Sequence, residues 1–179
     1  MRLILEKDGA LLAFSIGINK FIYLFNTGVD NLRNWEPINY EDILLYKYWK
    51  KSKGKLFLEV PIGNKQLGNW PPNSKIRRID AVLIKAEDGY GTEEVFNRNE
   101  YTLSEFNNYV KDKTVELIEV KKNLNRLVIG QVIAGLDMFE RQYNAKKVLP
   151  VVISQNDDPA LQWVCEKRDI KVCIINDIS

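Results

Sequence analysis

The sequence predicts an α/β fold in which one mixed β-sheet is covered by helices. From residue 36 onward, helical and strand patterns alternate in the order α-β-β-β-α-β-α-β. Because strands separated by helices pair in parallel within one sheet, the last three strands are expected to be parallel neighbours. The composition, 45% hydrophobic and 28% charged, is that of an ordinary globular chain, and 179 residues suffice for one domain with a core.

A β-rich extension over residues 1–35 is predicted to precede the core, which occupies 36–179. Asp8-Gly9 between two apolar runs is a strong hairpin signal in the extension. In the first half of the core the sequence predicts a helix over 41–53, a strand over 55–61, a loop over 64–74 and a strand over 77–85. On the last of these strands, alternation places Ile79, Ala81 and Leu83 on one face and Arg78, Asp80, Val82 and Ile84 on the other.

The second half of the core opens with a polar stretch over 86–113 that contains a short helix near 103–109. The sequence then predicts a strand over 115–121, a helix over 126–143, a strand over 147–154, a helix from 159 to about 168 and a strand over 170–175. The helix over 126–143 has a broad apolar face and small residues that allow close approach to a sheet. The apolar residues are Leu127, Ile129, Ile133, Leu136, Phe139 and Tyr143, and the small ones are Gly130, Ala134 and Gly135. Asp158-Pro159 supplies an N-cap followed by proline at the first helical position.

The complete absence of histidine excludes several classes of site. Ser-His-Asp and Cys-His catalysis, HExxH zinc sites and a histidine general base all require it. Carboxylates, lysine and a hard metal ion remain for hydrolytic chemistry. Cys165 and Cys173 are too few for a disulfide framework or a zinc site, so we expect free thiols in a reducing compartment.

The net charge of +2 excludes binding to nucleic acid by bulk charge, so any such surface must come from local clusters. The N-terminus has no signal-peptide pattern, and the apolar stretch over 10–25 is too short and too interrupted to span a bilayer. The protein is therefore expected to be soluble and cytoplasmic, with no membrane partner and no small-molecule organic cofactor.

The strand over 115–121 carries the most informative side chains. Glu119 and Lys121 are two residues apart and project to the same face of that strand. Charges inside so apolar a strand are costly unless they are paired or bind metal. If the strand that holds Asp80 is the neighbour, Asp80 and Glu119 converge on one divalent ion. Oxygen-only ligation indicates Mg²⁺ or Mn²⁺.

An Asp followed by Glu-x-Lys on successive strands, and then by a helix, resembles the core of the PD-(D/E)XK nuclease superfamily, whose fold is restriction-endonuclease-like. The segments that carry the resemblance are 57–63, 77–82, 118–121 and 129–131. The resemblance spans 41–154 and implies a mixed sheet flanked by helices with an αβββαβ core. Ile79 precedes Asp80 where the family has proline.

The resemblance implies a Mg²⁺-dependent deoxyribonuclease that hydrolyses phosphodiester bonds in DNA, and we interpret it as an endonuclease. Asp80, Glu119 and the backbone carbonyl of Val120 are expected to hold the metal ion. Lys121 is expected to assist the attacking water. The alternative function is a catalytically inactive nuclease-fold domain that binds nucleic acid or a protein partner.

Accessory residues follow from the same resemblance. Gln131 on the following helix and Glu59 on the first strand match further catalytic residues of some branches, and Glu41 matches an acid on the first helix. Structural alternatives stay open: a surface ion pair between Glu119 and Lys121, and an Asp80 satisfied by Arg77 or Arg78. Gln131 can equally be an ordinary helix residue, and Glu59 and Glu41 can be solvated side chains without a function.

Basic residues cluster on either side of the expected site and fit contacts to DNA phosphates. They are Lys75, Arg77 and Arg78 before one strand, and Lys122 and Arg126 after the other. A solvated rim of mixed charge is the alternative. Because a duplex has two strands and one small domain has one metal site, we expect a homodimer, with the apolar stretch over 11–25 as the candidate interface.

Overall fold

A computed structural model of the protein describes residues 4–5, 11–12, 35–85 and 93–176. The chain divides into two units, residues 1–32 and 33–179. In the first unit, β1 (Ile4–Leu5) pairs antiparallel with β2 (Leu11–Leu12). This pairing confirms the predicted hairpin. The candidate dimer interface over 11–25 lies outside the described residues except at the two residues of β2.

The second unit contains a six-stranded mixed sheet flanked by four α-helices. Its elements are α1 (Tyr40–Ser52), β3 (Lys55–Ile62), β4 (Arg77–Ile84), β5 (Glu94–Phe96), a 3₁₀ helix (Arg98–Glu100), α2 (Leu103–Val110), β6 (Thr114–Asn123), α3 (Arg126–Gln142), β7 (Lys147–Asn156), α4 (Pro159–Glu166) and β8 (Lys171–Ile174). The predicted alternation of helices and strands is confirmed. The sequence analysis missed β5, because three residues are too few to show a strand period.

The sheet has the strand order β5-β3-β4-β6-β7-β8. β4 is antiparallel to both of its neighbours, β3 and β6, whereas β6, β7 and β8 run parallel. Ala81 lies opposite Ile118 in the register of β4 and β6, which confirms the predicted adjacency of these strands. The start of β4 and the end of β6 therefore lie at the same edge of the sheet.

Helix α1 begins at that edge. The Asn39 side chain caps its N-terminus by accepting a hydrogen bond from the Asp42 backbone N–H at 2.9 Å. Glu41 and Asp42 lie in the first turn, where the interaction of acidic side chains with the helix dipole stabilises the helix. The helix ends at Lys53, whose φ of 55° is left-handed, immediately before Gly54.

Two apolar clusters form the core, one on each face of the sheet. Side chains of α2, α3 and α4 belong to the first, the α3-side cluster, and side chains of α1 belong to the second, the α1-side cluster. The buried stripe of α3 consists of Val128, Ile129, Val132, Gly135, Phe139 and Gln142. Its spacing of three and four residues is that of a helix with one face on a sheet.

The predicted apolar face of α3 is wrong at Leu127. Its other five residues are buried in the α3-side cluster or pack against it: Ile129, Ile133, Leu136, Phe139 and Tyr143. Leu127 is 67% exposed, because Val128 faces the sheet and the preceding position lies about 100° around the helix. Gly130 and Ala134 are also exposed. Gly135 is the small residue that meets the sheet, where an added Cβ would lie 3.6 Å from the Leu117 side chain.

Side-chain alternation is interrupted where Glu59 on β3 faces Asp80 on β4. Glu59 has a φ of 53°, a left-handed conformation that is uncommon for a residue other than glycine. Beyond this point Val60 pairs with Ile79, and both belong to the α3-side cluster, whereas Ala81 belongs to the α1-side cluster. The prediction that Ile79 and Ala81 share a face is therefore wrong, because the side-chain period resets at Glu59 and Asp80.

A buried ionic cluster joins four elements at the opposite edge of the sheet. Glu116 on β6 is 3% exposed, and its carboxylate accepts a hydrogen bond from the Tyr48 hydroxyl of α1 at 2.8 Å. Lys85, which follows β4, places its Nζ 2.7 Å from Glu116 Oε1. Lys171 on β8 donates to the same Tyr48 hydroxyl at 2.9 Å. The buried carboxylate is thus compensated by two lysines and a hydroxyl.

The two cysteines are free thiols, as expected. Cys165 is buried in the α3-side cluster, and Cys173 is partly buried beside the α1-side cluster. Burial raises the pKa of both thiols above the usual range, which keeps them protonated and unreactive. Over 35–85 and 93–176, no helix has the length and apolar character that crossing a membrane requires.

Two glycines provide a test of the backbone. Gly63 has a φ of 78°, and a Cβ there would lie 2.8 Å from the Lys75 carbonyl oxygen. Gly63→Ala should therefore lower the free energy of unfolding by about 1–3 kcal/mol. Gly130→Ala, in open space inside α3, should raise it by about 0.5–1 kcal/mol. Urea unfolding of both variants measures this, and equal effects would contradict it.

Candidate active site

Two acidic side chains from neighbouring strands meet inside the sheet. The Glu119 carboxyl of β6 lies beside the Asp80 carboxyl of β4, close enough for their charges to interact. Glu119 is 3% exposed, and Gly135 of α3 lies over it, with the position of an added Cβ 3.8 Å from Glu119 Oε1. Asp80 Oδ2 also accepts a hydrogen bond from the Val120 backbone N–H at 2.8 Å. The predicted convergence of Asp80 and Glu119 is therefore present in the structure.

Burial disfavours ionisation of both carboxyl groups, and at Glu119 the neighbouring Asp80 adds to the effect. Burial, followed by the adjacent Asp80, raises the pKa of Glu119 to about 8. Burial also raises the pKa of Asp80 above its usual range, against the lowering effects of the Val120 N–H and the Lys121 ammonium. Two neighbouring carboxylates repel each other. A proton shared between them relieves this repulsion, and a cation bound between them would do the same.

The Lys121 ammonium is held by Glu41, the acid on the first turn of α1. Its Nζ donates to both Glu41 oxygens, at 2.9 and 2.8 Å. Burial is the largest single influence on Lys121 and opposes its charged form. The hydrogen bonds that it donates to Glu41, together with the negative charges of Glu41, Asp80 and Glu119, outweigh burial and raise the pKa of the ammonium. The alternative of an ion pair between Glu119 and Lys121 therefore does not hold. Glu119 lies beside Asp80 instead, and Lys121 pairs with Glu41.

A shallow cavity of about 110 Å³ opens beside Asp80. It is lined by Asn39, Glu41, Asp42, Leu45, Leu58, Glu59, Asp80 and Val120. The Glu59 side chain is 51% exposed and lies 3.4 Å from Arg78 Nη1. Arg78 therefore pairs with Glu59, and Arg77 donates to the Lys75 carbonyl, so the alternative of an arginine that satisfies Asp80 does not hold.

Other predicted residues lie around this group. Gln131 is exposed on α3, one helical turn before Gly135, and it forms none of the side-chain hydrogen bonds described here for Asp80 or Lys121. Lys75, Arg77 and Arg78 are exposed just before and at the start of β4, and Lys122 near the end of β6 and Arg126 at the start of α3 are exposed as well. The Lys122 Nζ lies 5.5 Å from the centre of the Tyr40 ring. The basic residues thus flank the site on both sides, as predicted.

The donor atoms fit a hard divalent ion. Asp80 and Glu119 supply carboxylate oxygens, and the Val120 carbonyl points to the same neighbouring strand as its N–H, which contacts Asp80. Mg²⁺ binds through one or two carboxylates and keeps several waters, for which the cavity has room. No set of three or more acidic, cysteine or histidine side chains in 35–85 and 93–176 is grouped as a complete metal site. Waters and a substrate oxygen would have to complete the shell.

Asn39 and Asp42 line the cavity but were not among the predicted site residues. Asn39 followed by Asp42 is a recognisable helix-start signal, so the start of α1 is readable from sequence. Its placement beside Asp80 depends on how α1 packs on the sheet, which no local pattern encodes. Glu41 was singled out as an acid of the first helix, and the structure brings it into contact with Lys121.

The raised pKa of Glu119 predicts a pH-dependent stability in metal-free protein. Between about pH 4.5 and 8 the folded state holds a proton that the unfolded state has released, so the free energy of unfolding should fall as pH rises through this range, by a few kcal/mol in order of magnitude. Glu119→Gln should flatten the fall, because an amide mimics the protonated acid. Urea unfolding with a chelator from pH 5 to 9 tests this. A parallel decline in both proteins would contradict it.

Comparisons of the chain with protein families, with curated proteins and with solved structures return no match. The interpretation of the site therefore depends on its own geometry. Two neighbouring carboxyl groups lie inside the sheet, a lysine follows one of them by two residues, and a polar cavity is lined by Asp80 but not by Glu119.

Proposed function

We propose that this chain is a Mg²⁺-dependent deoxyribonuclease, an endonuclease with a restriction-endonuclease-like core. The observation that carries the proposal is the contact of Asp80 with Glu119, followed along β6 by Lys121. The resemblance of this sequence pattern to the PD-(D/E)XK superfamily supports the same reaction. So does the central arrangement of the sheet, in which one antiparallel and one parallel strand flank β6.

Asp80, Glu119 and the Val120 carbonyl would hold the metal ion, with Mn²⁺ as an alternative to Mg²⁺. When bound, the ion would polarise the scissile phosphate and make a water acidic enough to attack, so no histidine is needed. The two carboxylates would be fully ionised in that state. Their burial on rigid strands keeps the ligands in place before the substrate arrives.

Lys121 supplies the positive charge of the site. Glu41 fixes the position of its Nζ by two hydrogen bonds, so the ammonium is held next to the carboxylates without rotating freely. From there it can donate a hydrogen bond to a phosphate oxygen and stabilise the negative charge that develops during phosphodiester hydrolysis. Glu59 is half exposed and lines the cavity, and it would order water at the same phosphate.

The central test is metal-dependent DNA cleavage. Asp80→Asn and Glu119→Gln should each lower the cleavage rate by at least 100-fold, because each removes a ligand, and metal binding measured by calorimetry should weaken in parallel. DNA binding without metal should persist or strengthen as negative charge leaves the site. Asp137→Asn, which removes an exposed carboxylate of α3, is the matched control and should cleave normally.

A second variant pair separates catalysis from structure. Lys121→Met should lower the cleavage rate roughly 10- to 1,000-fold while metal affinity stays largely intact, since an ammonium is not a ligand. Lys146→Met, at an exposed lysine just before β7, is the control. If wild-type protein binds DNA and does not cleave it with Mg²⁺ or Mn²⁺, the inactive binding domain is the correct interpretation. The expected homodimer stays a prediction, which sedimentation of the full chain tests.

A further inference from the structure

The connection between β3 and β4 carries an unusual concentration of positive charge. Residues 63–78, here called the basic loop, comprise this connection and the first two residues of β4. They contain Lys65, Lys75, Arg77 and Arg78 and no acidic residue. The chain as a whole is nearly balanced, with 26 basic and 24 acidic residues. This part of the chain therefore carries only positive charge.

The basic loop is held firmly against α3. The Asn64 backbone N–H donates to Gln142 Oε1 at 3.0 Å, and Gln142 Nε2 donates to the Pro61 carbonyl at 2.9 Å. The Arg141 guanidinium lies 4.9 Å from the centre of the Trp70 ring and donates to the Asn69 carbonyl. Contacts of this kind fix a loop before any ligand binds, which lowers the entropic cost of binding.

Further hydrogen bonds inside the loop keep its shape. The Trp70 indole N–H donates to the Leu67 carbonyl at 2.9 Å, and the Ser74 hydroxyl donates to the Pro71 carbonyl at 2.8 Å. Pro71-Pro72 restricts the backbone at the tip. The positive side chains therefore project from a rigid base.

The basic loop ends at the candidate active site. Arg78 lies 3.4 Å from Glu59, which lines the cavity beside Asp80. Lys75 and Arg77 are exposed just before it, and Ile76 between them is 57% exposed. An exposed aliphatic side chain thus lies between two cations in the sequence, four residues before Asp80.

We propose that the basic loop is the element that docks duplex DNA, an inference that rests on the proposed nuclease function. Lys75 and Arg77 contact phosphates of the backbone, and Ile76 enters the minor groove between them. Proteins that hold single strands stack bases on exposed aromatic rings, but here the Trp70 ring is covered by Arg141. Aliphatic side chains beside cations are instead typical of insertion at minor-groove steps.

The loop would thereby set where the duplex is cut. Rigid attachment to α3 fixes the distance between the docked backbone and Asp80. Phosphate contacts by Lys75 and Arg77 position the duplex without reading its sequence, so the docking is expected to be sequence-independent.

Binding of fluorescent 25-base-pair DNA to a Glu119→Gln parent, from 50 to 300 mM salt, tests the charges. Adding Lys75→Ala and Arg77→Ala should lower the slope of log affinity against log salt by about 2. Adding Lys111→Ala and Lys146→Ala, two exposed lysines at the opposite edge of the sheet, makes the same charge change and should leave the slope unaltered. Equal slopes in the two double variants would overturn the proposal.

Ile76→Ala tests the groove contact in the same parent. Duplex affinity should fall about 3- to 10-fold with an unchanged salt slope, and affinity for a 25-nucleotide single strand should stay constant. Trp163→Ala, at a side chain that is 60% exposed on α4, is the control. Loss of single-strand affinity, or no loss on duplex, would refute the groove contact.

A cleavage assay of the wild-type chain with Mg²⁺ separates the two levels of inference. If wild-type protein cleaves duplex DNA and the Lys75/Arg77 variant of the parent binds like its control, the docking inference fails and the nuclease proposal stands. If wild-type protein neither binds nor cleaves DNA, the proposed function itself fails.

Discussion

Pairing of β4 with β6 brings Asp80 and Glu119 together, and the rest of the site is arranged around the electrostatic cost of that contact. Two buried carboxyl groups that touch are unfavourable as anions, so the sheet holds them in a state that either a proton or a cation relieves. The Val120 N–H and the Lys121 ammonium reduce the cost without removing it. The repulsion between the two carboxylates would therefore favour binding of the proposed metal ion.

The backbone around the acids carries a second cost. Glu59 adopts a left-handed conformation in the middle of a buried strand, and the side-chain period resets there and at Asp80. Strain of this order is about 1–3 kcal/mol and persists only where surrounding contacts over-determine the structure. Here the hydrogen bonds of Gln142 and Tyr143 to the Pro61 carbonyl hold the far half of the hairpin onto α3. Packing of α3 thus maintains the geometry of the acids.

Local sequence patterns predicted most of the helices and strands, and they indicated the acidic residues of the candidate site. Strand period located Asp80 and Glu119 on strands, because a period of two needs only a few residues to be visible, and the family resemblance indicated that these strands are neighbours. The predicted apolar face of α3 was wrong at Leu127, because Leu127 and Val128 are both apolar and the sequence does not say which of them faces the sheet. The partner of Lys121 depends on how α1 lies on the sheet, and the reset at Ile79 depends on the backbone of the adjacent strand. Neither is encoded within a local window.

The ionic cluster around Glu116 has a consequence for how this chain tolerates insertions. Helix α1 is tied to β6 twice: Tyr48 bonds to Glu116, and Glu41 bonds to Lys121. One residue added or deleted between Glu41 and Tyr48 would rotate one tie relative to the other by about 100°. Both bonds cannot survive such a change. The number of residues between Glu41 and Tyr48 is therefore fixed by these two bonds, although the residues between them take part in neither bond.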